Sequence, residues 1–140
     1  LCMDGTIPVT KLPEVLEQVY AIGERYGFEI ANIFHAGDGN MHPLIMYDSH
    51  QPGVLDEVEA CGAEILKACV DAGGCITGEH GVGIEKRDHM PLMFTPAELD
   101  QMKAVKRQFD PQWLLNGGKV FPLDEVGIPA GQISPRAVAA

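Results

Sequence analysis

Basic residues are scarce in this chain, where 10 lysines and arginines stand against 20 aspartates and glutamates, for a net charge of −10. So acidic a chain lacks the positive patches needed to grip a phosphate backbone or an anionic membrane, which excludes nucleic acid as a partner. Cysteine is sparse too. Cys2, Cys61, Cys69 and Cys75 contain no CxxC spacing and do not follow a small secreted scaffold, so reduced thiols in a cytoplasmic setting are expected. No signal peptide is visible, and no apolar run approaches the roughly 20 residues that span a bilayer. A soluble domain is the expectation, with membrane association through partner subunits left open. The 140 residues suffice for one domain with a real core. Because the chain opens at Leu1 with strand-like sequence at once, it is expected to be a piece of a longer polypeptide.

What is present is concentrated at residues 35–42, HAGDGNMH. Two imidazoles bracket a run of small and polar residues. Gly37 and Gly39 permit the positive φ angles of a tight turn, and Asp38 and Asn40 favour turns by bonding nearby backbone. A turn over 36–41 between antiparallel strands would set His35 opposite His42, Ile33 opposite Leu44 and Ala31 opposite Met46, all on one face. Directly opposed residues have Cβ atoms about 4.5–5.5 Å apart, a gap that one metal ion bound to both rings can bridge.

The rest of the chain frames that turn. Residues 3–9 suit a short strand. Leu12, Val15, Leu16, Val19 and Ile22 recur at helical spacing, with Thr10 as a cap, Pro13 in the first turn and Gly27 as the stop. Residues 28–35 and 42–47 form the hairpin, with Phe28, Ile30 and Phe34 on the face away from the histidines. A second helix opens at Pro52 and Gly53, is acidic at its start, is apolar at Val58, Gly62, Ile65, Leu66 and Cys69, and ends at Gly73 and Gly74. Residues 75–77 make a fourth strand. The order is the βαββαβ plan of α+β, ferredoxin-like domains, an antiparallel sheet with helices on one face. The histidine face is then open, and something must cover it or bind there.

C-terminal helices follow. A short helical stretch runs through Met90 to a stop at Pro91, and Thr95, Pro96 and Glu98 give a capping box for a helix that reaches Asp110. Trp113, Leu114 and Leu115 are expected to dock back on the body. Residues 1–123 form the domain, and 124–140, rich in Ala, Gly and Pro, read as a poorly ordered tail.

Residues 78–81, GEHG, follow the fourth strand directly, where they can reach the hairpin's open face. Adding Glu79 to His35 and His42 makes a two-His, one-carboxylate set, which binds a divalent transition metal and leaves positions free for substrate or water. His80 points elsewhere and suits a general base. The bland alternatives are half-buried hairpin histidines and a helix-entry turn at GEHG. Asp38 is read as a turn residue rather than a ligand, His50 and His89 as surface residues, and Met41, Met46, Met90 and Met93 as core filler.

The segments CMDGTIP at 2–8, HAGDGNMHP at 35–43, GGCITGEHGVG at 73–83 and DPQWLLNGGKVFP at 110–122 resemble the C-terminal domain of FAD-linked 2-hydroxy-acid oxidases and dehydrogenases. These are flavoenzymes of the vanillyl-alcohol-oxidase type, and the likeness is strongest to the flavin-bearing subunits of bacterial glycolate oxidases. The resemblance implies an absent N-terminal domain that binds most of the FAD, with this domain capping the flavin. It makes His35, His42 and Glu79 ligands of zinc, iron or manganese. His80 becomes the base that takes the hydroxyl proton as hydride leaves a small 2-hydroxy acid, glycolate giving glyoxylate. Asn116 would approach the flavin. The family reads N-P-G-K where this chain has Asn116, Gly117, Gly118 and Lys119, which loosens that turn. Other oxidase subunits, including an iron-sulfur subunit, are implied partners. The fragment alone should be inactive and, with an uncovered apolar face, should self-associate. The competing readings are a ferredoxin-like module that holds a metal or small ligand without redox chemistry, and a metal-dependent hydrolase with His80 as base.

Overall fold

The computed structural model describes residues 1–123, so the expected tail at 124–140 lies outside the described residues. The chain divides into two compact units, Leu1–Gly81 and the residues from Val82 onward. The first is an α+β unit. Strand β1 (Gly5–Thr6) is followed by a 3-10 turn (Val9–Lys11), helix α1 (Leu12–Tyr26), strands β2 (Glu29–His35) and β3 (Asn40–Met46), and helix α2 (Val54–Asp71). The sheet is antiparallel with order β1-β3-β2. Residues 75–77 do not form the expected fourth strand: after the Gly73–Gly74 turn, Cys75 makes one bridge to Thr6 at the outer edge of β1. The chain then turns into the loop at 78–81, so the ladder stops there. β1 is likewise shorter than the expected 3–9, because Pro8 ends it and the 3-10 turn takes over. That turn absorbs Thr10, so α1 starts without a side-chain cap.

One face of the sheet carries the core. Met41 and Ile45 of β3 are fully buried with Ile30 of β2, and the helices pack there. Gly23 of α1 lies so close on Ile30 that a Cβ would collide with it, and Gly62 of α2 sits in the same way on Met3. Val15, Val19 and Ile22 of α1 and Val58 and Ile65 of α2 complete this core, as the helical spacing predicts, and Cys61 joins them. Gly27 closes α1 in the left-handed conformation, which a side chain would resist.

The hairpin register differs from the expected one by two residues. His35 faces Asn40, Ile33 faces His42 and Ala31 faces Leu44, around a four-residue turn at 36–39. Asn40 pairs, rather than sitting in the turn, because Gly39 takes a positive φ and its carbonyl accepts from Ile7 N–H at 2.9 Å, which ties the start of β3 to β1. A shift of two preserves side-chain parity, so both histidines still share a face. That face is more open: Ile33 and Met46 are 57% and 55% exposed.

The second unit holds a 3-10 stretch (Arg87–Leu92) and helix α3 (Pro96–Phe109). Pro91 lies inside the 3-10 stretch instead of ending a helix at Met90, since tighter turns tolerate its missing N–H there. The capping box is formed: Thr95 Oγ1 accepts from Glu98 N–H, and Glu98 accepts from Thr95 N–H at 2.7 Å. Of the three residues expected to dock, Trp113 is buried edge-on against Phe121 within this same unit, whereas Leu114 and Leu115 are exposed. Met41 and Met90 are core residues, whereas Met46 is exposed; His50 is a surface residue and His89 is half-buried. Among the described residues no helix is long and apolar enough to cross a membrane.

Candidate functional site

The alternation of β1 and β3 decides what meets on the open face. Thr6 pairs with Asn40 and Cys2 with Leu44, so the same register puts Asp4 opposite His42. On the other side of β3, His35 pairs with Asn40 and Ile33 with His42. His35 and His42 are therefore diagonal neighbours, with rings edge to face and centroids 5.5 Å apart.

The loop at 78–80 lies over this row. Glu79 Oε1 is 3.2 Å from His42 Nε2 and 3.5 Å from His35 Nε2. One donor atom from each of the three residues falls within 4.8 Å of the others. Ligands about 2.0–2.1 Å from one tetrahedral ion stand roughly 3.3 Å from each other, so the His–Glu separations match the donor set of a divalent metal. His80 is adjacent and not part of that set: its ring stacks on His42 with centroids 5.0 Å apart, and its Nε2 is 3.9 Å from Glu79 Oε1. Cys2, His42 and His80 also lie within 4.8 Å of one another. Near-parallel stacking aims the in-plane lone pairs of the two rings side by side rather than at one point, which disfavours an ion shared through that trio.

His42 is the buried member of the site, while His35, Glu79 and His80 are about half exposed. An open cleft of about 340 Å³ is lined by Thr6, His35, Asp38, Asn40, Gly78 and Glu79. Asp38 lines it without joining the ligand set; the turn is closed instead by the bond from Asp38 N–H to the His35 carbonyl, at 2.9 Å. Asn40 is buried with no hydrogen-bond partner for Oδ1, and the loop crosses it so closely that Gly78 has no room for a side chain.

Two contributors were not singled out from the sequence, Asn40 and, more important, Asp4. Asp4 is completely buried. Its carboxylate accepts from the Thr77 hydroxyl at 2.7 Å and from the backbone N–H groups of Gly78 at 2.9 Å and His80 at 3.0 Å, with Glu79 N–H at 3.2 Å. Burial pushes its pKa up, but the Thr77 hydroxyl and the amides of His80, Glu79 and Gly78 outweigh it. They hold the carboxyl well below the usual carboxylate range, so Asp4 is a buried anion. The signal was there: Cys2, Asp4 and Thr6 alternate with Met3 and Ile7, which aims Asp4 at the histidine face.

Comparison with known proteins then decides the family. The sequence profile of "FAD linked oxidases, C-terminal domain" matches residues 1–120. The chain belongs to that family. It is 50% identical over 121 residues, 86% of this chain and 24% of the relative, to glycolate oxidase subunit GlcD of Escherichia coli. It is 40% identical over 126 residues to D-2-hydroxyglutarate dehydrogenase of Stutzerimonas stutzeri, covering 84% of this chain and 26% of that protein. With D-lactate dehydrogenase of Archaeoglobus fulgidus it shares 34% over 120 residues, again 84% and 26% of the two chains. The chain thus spans about a quarter of the length of these curated relatives.

The remaining candidate of this family member, Asn116, is in the second unit. It is exposed at a left-handed φ of 53° that asparagine tolerates, and its Oδ1 accepts from Lys119 Nζ at 2.7 Å. The Gly-Gly turn that follows is held by Arg87, which donates to the Gly118 carbonyl at 2.8 Å.

Proposed function

We propose that this chain is the substrate- and metal-binding part of an FAD-dependent 2-hydroxy-acid oxidoreductase that converts glycolate to glyoxylate. The reading is carried by the convergence of His35, His42 and Glu79, at a cleft that His35 and Glu79 line, in a member of the FAD-linked oxidase family. The likeness to GlcD favours glycolate among the 2-hydroxy acids. An N-terminal domain of the longer protein holds most of the FAD, and Asn116 meets the flavin from this side.

In this reading His35, His42 and Glu79 hold zinc, iron or manganese. When bound, the ion supplies a Lewis acid for the hydroxyl and carboxylate oxygens, and the flavin supplies the hydride acceptor. His80 accepts the hydroxyl proton at Nε2, which faces the same centre from beside Glu79. Asn40 and Thr6, on the floor of the cleft, offer polar contacts to a small acid. The order β1-β3-β2, with Cys75 bridged to the β1 edge, supports a ferredoxin-like plan with an abbreviated fourth strand. Other oxidase subunits, an iron-sulfur subunit among them, complete a cytoplasmic enzyme that reaches a membrane through them. Cut from those neighbours, the chain self-associates through the face bearing Ile33 and Met46; sedimentation as a concentration-independent monomer would contradict this.

The test is anaerobic mixing of the full-length flavoprotein with glycolate, followed by flavin absorbance. Bleaching is expected, and His80→Gln should slow it about 10²–10⁴-fold. No bleaching with glycolate, D-lactate or D-2-hydroxyglutarate would sink the reading and favour a binding module without redox chemistry.

A further inference from the structure

A buried anion directly across the sheet from His42 is not accounted for by the ligand set. We propose that Asp4 is the positioning residue of this centre, holding the loop that carries Glu79 and His80 by its backbone and fixing the ring of His42 from behind. The proposal rests on the reading above in taking His42 and Glu79 as ligands.

Two sets of contacts carry it. Asp4 gathers three consecutive backbone N–H groups, at Gly78, Glu79 and His80, and the Thr77 hydroxyl that precedes them. Thr77 Oγ1 in turn accepts from Gly81 N–H at 2.8 Å, so one carboxylate and one hydroxyl anchor the loop from end to end. The second set is at the ring. Asp4 Oδ1 lies 3.9 Å from His42 Nδ1, while Nε2 of the same ring faces Glu79 at 3.2 Å. His42 Nδ1 is buried and has no hydrogen-bond partner. A carboxylate behind an imidazole favours the tautomer with the proton on the near nitrogen, which leaves the far nitrogen free as a ligand. Asp4 is therefore placed to set the direction in which His42 offers its lone pair. A loop staple alone would not require the carboxylate to face the ring.

The experiment uses the full-length protein with Asp4→Asn, which keeps the side chain's size and removes its charge, and with Thr77→Val, which removes one anchor and leaves the charge. Two quantities are read: zinc affinity by chelator competition, and the His42 tautomer by ¹⁵N NMR of the metal-free protein at a pH where imidazoles are neutral. In the parent, His42 should carry its proton on Nδ1. Asp4→Asn should lose that preference and bind zinc about 10–100-fold more weakly, the range typical of an outer partner of a metal-bound histidine. Thr77→Val should keep the tautomer and lose less affinity. A parent His42 protonated on Nε2 overturns the proposal, even if Asp4→Asn fails to fold. So does an Asp4→Asn variant that keeps the parent's tautomer. A parent that binds no zinc but shows the Asp4-dependent tautomer would refute the metal reading and support the positioning role.

Discussion

Asp4 and Asp110 solve the same problem in different ways. Each is a buried carboxylate that gathers successive backbone amides, Asp4 those of residues 78–80 and Asp110 those of Leu114 and Leu115, both at 2.9 Å. Asp110 works locally. It ends α3, its amides lie four and five residues ahead, and Lys106 Nζ, one turn behind, pairs with it at 2.9 Å. Asp4 reaches 73 to 76 residues along the chain, to a hydroxyl and three amides. A local cap with a cation shapes a turn. The long-range anion organises the loop that carries Glu79 and His80.

Breaking the comparison should produce effects of unequal size. Asp4→Ala leaves three amides and a hydroxyl facing a buried gap, and should cost about 2–4 kcal/mol in denaturant unfolding, because unsatisfied buried donors lose more than a typical hydrogen bond contributes. Asp110→Ala should cost clearly less in the same measurement. Its Lys106 partner and turn amides can turn to water, and zinc affinity should stay at the parent's value. The smallest effect is the acid dependence of the Asp110 cap. The Lys106 ammonium, then the Leu115 and Leu114 amides, hold its carboxyl below its ordinary 3.8 against the opposing effect of burial. A lowered pKa in the folded state means that its contribution is present above that ordinary value and is lost as pH falls through the lowered one. Unfolding followed from neutral pH downward should therefore show the parent and Asp110→Ala converging below about pH 4; a gap that persists in acid would contradict the ion pair.

Much of this was legible in the sequence, for physical reasons visible at particular residues. The helices announced themselves by Val15, Val19, Ile22 and by Val58, Ile65 and Cys69, since a 3.6-residue period survives any uncertainty about their ends. The shared face of His35 and His42 was legible because strand parity is two: the register was wrong by two residues, and the histidines stayed together all the same. Turn length was not legible, because the tie between Gly39 and Ile7 that fixes it comes from another strand. The fourth strand failed for a related reason. Residues 75–77 carry the right composition, but after Cys75 the Asp4 bonds draw the chain into the loop. Glu79 stands out in the sequence as a carboxylate beside His80 after a strand-like run, whereas nothing local shows what Asp4 bonds, its hydrogen-bond partners being more than 70 residues away.

If His35, His42 and Glu79 form one ligand set, the metal content of the protein should show it. The full-length protein, purified and dialysed against chelator-free buffer, should carry near-stoichiometric divalent metal by elemental analysis. His35→Ala, His42→Ala and Glu79→Ala should each lose it, with affinities reduced by more than the roughly 10–100-fold that an outer partner costs. Parent-like metal content in all three variants, or none in a parent offered zinc, iron and manganese at saturation, would contradict the assignment.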